Sequence, residues 1–214
     1  MATQSRQSFL KRYRFARVDA LVGTAALSSL VFIWLIAVPA FGPDKLARHS
    51  SHVPLLSGHV FGGALMLLAG AVALRIGLTK QWFRWHKVAG YTYLTAGTIA
   101  SVSALVRSFD TEHTPGLATG ALAVVWLAFS AMAFRAIRNK RLEQHRAWMI
   151  RSYVAAWTFV FCRFWTRAAP QSLQGDENDM IWVTWVMPLF LAEILLQWTA
   201  GAAVDRRRAQ RPLD

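Results

Sequence analysis

The chain has 214 residues, of which 55% are hydrophobic and only 16% are charged, and its mean hydropathy is +0.30. Soluble domains usually carry about a quarter charged residues, so this composition argues against an ordinary soluble, disordered, collagen-like or coiled-coil protein. Lys and Arg number 24 against 11 Asp and Glu, a formal net charge of +13. Because the basic residues flank apolar segments, the excess indicates membrane topology, and no nucleic-acid partner is expected. The single cysteine, Cys162, excludes an intrachain disulfide framework.

Six apolar stretches follow one another along the chain, each about as long as a helix that crosses a bilayer. The sequence therefore predicts an all-α integral membrane protein with six transmembrane helices, in which spans two to five form a four-helix core bundle flanked by spans one and six. The predicted spans run from Val18 to Phe41, Pro54 to Leu78, Trp85 to Val106, Pro115 to Ile137, Ala147 to Trp165, and Met180 to Ala203.

Basic residues predict the orientation of these spans. They are concentrated in residues 1–17, in the second and fourth loops and in residues 204–214, whereas acidic residues lie mostly in the other loops. This bias places both termini in the cytoplasm and the domain of residues 18–203 in a bacterial inner membrane. A secretory signal is the alternative for the first segment, since Ala37 to Ala40 loosely resembles a cleavage site; cleavage would leave five spans.

Histidines lie near both predicted surfaces of the membrane. Imidazole is unusual at membrane depth, and it is the commonest metal ligand among side chains. Spans two and four carry His59 and His113 near their outer ends, and spans three and five carry His86 and His145 near their inner ends. This arrangement is the one that two b-type haems require, because each iron takes axial ligands from two helices at one depth. For any single histidine, residence at the headgroup level is the simpler interpretation. His52 is an alternative to His113.

The first outer loop contains a second histidine pair, His49 and His52, which invites a zinc or copper site. No cysteine or carboxylate spacing fixes the geometry that a dedicated zinc site needs. A solvated loop is therefore the favoured interpretation of this pair.

Glycines follow two of the histidines at the same offsets. Gly63 and Gly70 lie four and eleven residues after His59, and Gly90 and Gly97 lie at the same distances after His86. Such offsets keep to one helix face, which would leave room for a flat porphyrin. Close packing of one helix on another is the alternative, because small residues line helix interfaces in membranes.

Two ionisable residues lie inside predicted spans, where charge is costly and is usually paired or functional. Arg151 is in span five and Glu193 is near the middle of span six. In the functional interpretation, Arg151 binds a haem propionate, or a proton or quinone site lies near Glu193. The favoured structural interpretation is an Arg151–Glu193 ion pair that fixes the register of the two helices.

The sequence also resembles a known family of predicted bacterial and fungal membrane proteins of unknown function. His145 to Tyr153 reads H-R-A-W-M-I-R-S-Y, which is similar to that family's H-R-x-W-M-x-R-S signature, and His86 to Tyr93 is similar to its H-R/K-x-x-G-x-x-Y segment. The resemblance covers roughly Leu55 to Trp165 and implies no activity. The order of histidines on spans two to five is similar to that of the six-helix, ascorbate-reducible cytochromes b, in which the second and fourth spans hold one haem and the third and fifth hold the other.

These patterns together predict transmembrane electron transfer through b-type haem, with His59 and His113 holding an outer haem and His86 and His145 an inner one. The protein would then be a haem-b membrane oxidoreductase or an electron-transfer subunit, with a quinone or another electron donor or acceptor as partner. Two alternatives stay open. One is a scaffold or assembly subunit of a larger membrane complex or homodimer, and the other is a small membrane carrier with its path near Glu193.

Overall fold

The structure is a computed structural model that describes residues 2–42, 53–109, 116–173 and 175–209. The described residues are helical, without strands, and divide between two compact units, Met1–Asp110 and Thr111–Asp214. In chain order the α-helices are α1 (Ala2–Phe32), α2 (Val53–Thr79), α3 (His86–Arg107), α4 (Gly116–Arg138), α5 (Leu142–Ala156), α6 (Thr158–Ala168) and α7 (Glu177–Ala209). Short helical turns cover Ile33–Ala37, Val38–Phe41, Phe83–Trp85 and Gln171–Leu173.

Unit 1 is an antiparallel hairpin of α2 and α3 with α1 packed on α2. Small residues are buried in both helices of the hairpin, including Ala73 in α2 and Ala96 and Ala100 in α3. Small residues let helix backbones approach closely where no water drives association. Between α1 and α2, the Nε of Arg75 donates to a carboxylate oxygen of Asp19 at 2.8 Å.

Unit 2 is a hairpin of α4 and α5, with α7 packed on α4, α5 and α6. Side chains before and in the first turn of α7 satisfy main-chain donors that helix starts leave open. The carboxylate of Asp176 accepts from the amide of Asp179 at 2.8 Å, which caps α7. The side-chain oxygen of Asn178 accepts from the amide of Ala118 at 3.2 Å, which ties α7 to the first turn of α4.

The fifth predicted span is two helices and not one, because the chain breaks at Trp157 between α5 and α6. Trp157 has φ −82° and ψ −4°, and its amide donates to the carbonyl of Val154, which is the spacing of a tighter turn. The Thr158 hydroxyl donates to the Ala155 carbonyl at 2.7 Å and occupies that acceptor. Such back-bonding by threonine bends helices. No glycine or proline lies nearby to indicate this break.

Four helical stretches among the described residues are long and apolar enough to cross a membrane. They correspond to the first, second, fourth and sixth predicted spans. The third and fifth predicted spans do not meet the same standard, so a total of six crossings stays a prediction. The four stretches are Ala16–Ile36, Val53–Thr79, Gly116–Arg138 and Glu177–Gly201.

Candidate functional site

His59 lies in the second turn of α2 and points its ring at α3. Its Nδ1 lies 3.0 Å from the main-chain oxygen of Ala100. A carbonyl oxygen can only accept a hydrogen bond, so Nδ1 is the donor. The second ring nitrogen, Nε2, is the atom that would bind a metal if this imidazole acts as a ligand.

Two glycines let α2 come close enough for this bond. A Cβ built on Gly62 would lie 2.7 Å from the carbonyl oxygen of Ala96 and 3.1 Å from the amide nitrogen of Ala100. A Cβ on Gly58 would lie 2.7 Å from the hydroxyl of Ser103. Gly58 and Gly62 are four residues apart, which is the small-xxx-small spacing of close helix pairs in membranes. The sequence contains this spacing, but the offsets from His59 pointed to the neighbouring Gly63 instead.

His86 is the first residue of α3 and lies against the other end of α2. A Cβ on Gly77 would come within 3.2 Å of the Cε1 atom of His86, and the ring stacks on Phe83 with centroids 5.2 Å apart. Gly77 follows His59 by 77 − 59 = 18 residues, which is about 27 Å along a helix at about 1.5 Å per residue. The two histidines of unit 1 are thus at opposite ends of one hairpin, as the sequence predicts.

His145 lies in the first turn of α5 and points its ring at α4. Its Nδ1 is 3.0 Å from the main-chain oxygen of Ala133. By the same reasoning as for His59, Nδ1 is the donor of this hydrogen bond. A buried hydrogen bond between the hydroxyls of Ser130 and Ser152, 3.0 Å apart, also joins these helices.

Each predicted ligand pair joins one residue from each unit, so neither pair is contained in a single unit. His59 and His86 belong to unit 1, and His145 belongs to unit 2. His113, together with His49 and His52, lies outside the described residues. Among the described residues there is no cluster of three or more His, Cys, Asp or Glu side chains that would suit a metal ion. The predicted bis-histidine haem site needs only two histidines for each iron and not such a cluster.

The predicted glycine tracks are open at one position and closed at the next. Nothing lies within 4 Å of a Cβ built on Gly63 or Gly90. Gly70 and Gly97, seven residues further along each helix, are buried. The open positions are the ones nearer to His59 and His86 in sequence.

Arg151 and Glu193 form the ion pair that the sequence analysis favours. The Nε and Nη2 of Arg151 donate to the same oxygen of Glu193 at 2.8 and 2.6 Å. The other oxygen of Glu193 accepts from the side-chain amide of Gln197 at 2.8 Å, and the Arg151 guanidinium lies 4.8 Å from the ring centroid of Trp148. Both charges are thus held by neighbours, which is what charge at membrane depth requires.

The sequence matches the model of a protein family described as "Predicted membrane protein (DUF2306)" over residues 56–196. The match contains α3, α4, α5 and α6 completely and includes all four predicted haem ligands, His59, His86, His113 and His145. No curated protein and no solved structure matches the chain.

Proposed function

The chain belongs to this family of predicted membrane proteins, and on that premise we propose that it is a six-span protein that transfers electrons across the membrane through b-type haem. Both termini are placed in the cytoplasm of a bacterial cell, because the basic residues follow the positive-inside pattern. The observation that carries the proposal is the pair of main-chain hydrogen bonds made by His59 and His145.

The third and fifth crossings are supported by the two hairpins. In unit 1, α3 has 22 residues, about 33 Å of helix and enough to span the hydrocarbon layer. A short turn joins it to α2, which is itself apolar enough to cross. The hydroxyls of Ser101 and Ser103 are buried, so part of the polarity of α3 faces inward. In unit 2, α5 packs against α4 as the second helix of the hairpin, and α6 packs against α7.

A carbonyl bonded to Nδ1 does two things for a histidine ligand. It fixes which nitrogen carries the proton, and it holds the ring in one rotation about its bond to the helix. Both effects would make Nε2 the ligand atom of such a histidine. His59 and His145 fit this requirement independently, in different units and on different helices.

The proposed ligands are His59 and His113 for an outer haem and His86 and His145 for an inner haem. When bound, each haem would accept and release one electron at its iron. The residues of the chain would position the imidazoles and exclude water, and a porphyrin edge would lie beside Gly63 and Gly90, where nothing lies within 4 Å of an added Cβ. Since both bonded nitrogens of Arg151 are directed at Glu193, we assign Arg151 to helix register and not to a propionate.

The test is a reduced-minus-oxidised absorption spectrum and a haem-to-protein ratio of the purified chain, expressed with haem supplied. We expect a b-type alpha band and two haems in each chain. His145→Leu should lose the inner haem, whereas His49→Leu, which changes a histidine outside the proposed ligand set, should keep both. A wild-type protein without any alpha band would refute the proposal. A stoichiometric protein partner recovered from native membranes would then favour the scaffold alternative.

A further inference from the structure

The turn between α2 and α3 presents three large aromatic side chains to the outside of the molecule. Trp82 is 73% exposed, Phe83 60% and Trp85 52%. Exposed aromatic residues at the end of a membrane hairpin are typical of the headgroup region, where an amphipathic ring contacts both acyl chains and polar groups.

The same turn carries basic residues that no described carboxylate neutralises. Lys80, Arg84 and Lys87 are exposed, and no acidic side chain in the described part of the chain forms an ion pair with them. Arg75, one turn earlier, is already paired with Asp19. Within the described residues, the turn therefore holds three basic side chains without an acidic partner next to its aromatic side chains.

The backbone of the turn is held in an uncommon conformation that fixes this arrangement. Lys80 has φ 59° and Trp82 has φ 55°, values in the left-handed region that side chains other than glycine, asparagine and aspartate rarely adopt. Cation–aromatic contacts accompany the strained positions: the Arg75 guanidinium lies 5.7 Å from the Trp82 centroid, and that of Arg84 lies 5.6 Å from the Trp85 centroid. Strained residues of this kind cluster at binding sites.

We propose that the α2–α3 turn is a binding site for the headgroup of an anionic phospholipid. The phosphate would be held by Lys80 and Arg84, while Trp82, Phe83 and Trp85 contact the glycerol and the upper acyl chains. An aromatic surface of this size would have no function toward a free phosphate ion, which is why a lipid is the occupant. The inference rests on the membrane location in the proposed function and is independent of haem.

The α4–α5 turn provides a matched control within the same chain. Lys140 has φ 57°, almost the same left-handed conformation as Lys80, and it is flanked by the exposed basic residues Arg138 and Arg141. No aromatic residue lies between Arg138 and Arg141. The two turns thus share three exposed basic residues and a left-handed lysine, and they differ in their aromatic content.

The experiment is native mass spectrometry of the full chain in detergent, titrated with dioleoyl phosphatidylglycerol and, separately, with dioleoyl phosphatidylcholine. We expect phosphatidylglycerol to bind more tightly, and we expect Lys80→Gln/Arg84→Gln to weaken that binding on the order of thirtyfold, the combined effect of two basic residues at a membrane surface. Arg138→Gln/Lys140→Gln removes the same charge from the control turn and should weaken it less than threefold. Trp82→Ala, which keeps every charge, should weaken it severalfold.

Three results would overturn the proposal. One is equal weakening by the two double variants, which would mean a response to overall charge only. The second is displacement of phosphatidylglycerol by millimolar inorganic phosphate, which would indicate a free-anion site. The third is equal binding of the two lipids. If the Lys80→Gln/Arg84→Gln protein does not fold, as judged by its thermal melting, Arg84→Gln alone and Trp82→Ala decide between the same outcomes. Haem content is measured on every sample, so loss of lipid binding with haem retained is distinguished from failure of the proposed function.

Discussion

The two hairpins of the molecule place a histidine in the same way but hold their helices together differently. In α2–α3 and in α4–α5, a lysine in a left-handed conformation lies in the turn, and a histidine in the first turn of the second helix lies against the end of the first. The α2–α3 helices meet through the backbone contact at Gly62. The α4–α5 helices are joined by the hydroxyls of Ser130 and Ser152.

This difference indicates that the histidine position follows from hairpin geometry and not from the chemistry of the helix interface. A backbone contact tolerates no added atom, whereas a hydroxyl pair adds a modest hydrogen bond to an interface that is already formed. Substitutions at the helix interface should therefore reduce stability more in unit 1 than in unit 2.

The largest effect is expected for Gly62→Leu. Its side chain would have to displace the main chain of α3, which cannot move aside as a flexible side chain can, and we expect a loss of about 3 kcal/mol or more. Thermal unfolding followed by circular dichroism in detergent measures this. Gly63→Leu, one residue later, points into open space and, in protein prepared without haem, should change stability by less than about 0.5 kcal/mol. Equal losses from both variants would show that the contact at Gly62 does not hold the α2–α3 hairpin.

A smaller effect is expected for Arg151→Gln in unit 2. It leaves the Glu193 carboxylate without its cation at membrane depth, and because Glu193 is partly exposed we expect a loss of only about 1–2 kcal/mol. The matched control is Arg146→Gln on the same helix, whose partner Glu143 lies 3.5 Å away on an exposed surface, and which should cost about 0–0.5 kcal/mol.

The double variant Arg151→Gln/Glu193→Gln sharpens this prediction. Removing both charges should restore part of the lost stability, because no uncompensated charge is then left. A double variant that melts well below Arg151→Gln would contradict the view that the pair serves only helix register.

The smallest effect is expected for Ser130→Ala, at about 0.6 kcal/mol, the usual contribution of a hydrogen bond between membrane helices. The comparison is with Thr98→Ala, which removes an exposed hydroxyl bonded within its own helix to the Leu94 carbonyl. A Ser130→Ala loss as large as that of Gly62→Leu would remove the distinction between the two interfaces.

The sequence predicted the helices best where a long apolar run is bounded by glycine, proline or charge. The predicted span from Pro54 to Leu78 agrees with α2 within a residue or two at each end, and the predicted Arg151–Glu193 pair is present. A long apolar segment must be buried, and a charge inside a membrane span must be paired. Both requirements can be read from residue types alone, so the sequence was sufficient to predict them.

Other features depend on contacts that a sequence does not display. The break at Trp157 comes from a threonine hydroxyl that bonds the carbonyl of Ala155, and threonine is also common in unbroken helices. In both hairpins a histidine of the second helix lies against the first helix, and the sequence does not display this similarity. Gly77 precedes His86 by 86 − 77 = 9 residues, whereas Ala133 precedes His145 by 145 − 133 = 12 residues. Unequal spacing of that kind hides a repeat that the folded chain makes visible.

The hydrogen bonds of His59 and His145 could not be predicted either, since the acceptors are main-chain oxygens of alanines 41 and 12 residues away. The residue type of an acceptor carries no information when the accepting atom belongs to the backbone. The sequence therefore indicated which histidines are candidate ligands, and the fold indicated which ring nitrogen of His59 and His145 is bonded to the main chain.

Low-temperature electron paramagnetic resonance of the oxidised, purified chain tests the central claim most directly, because it reports the axial ligands of the iron. Two imidazoles on each iron predict low-spin ferric haem in the wild-type protein and, in His145→Leu, a loss of one of two low-spin signals with the other unchanged. A wild-type protein that shows only high-spin ferric haem, or no haem signal, would contradict the assignment of paired histidine ligands.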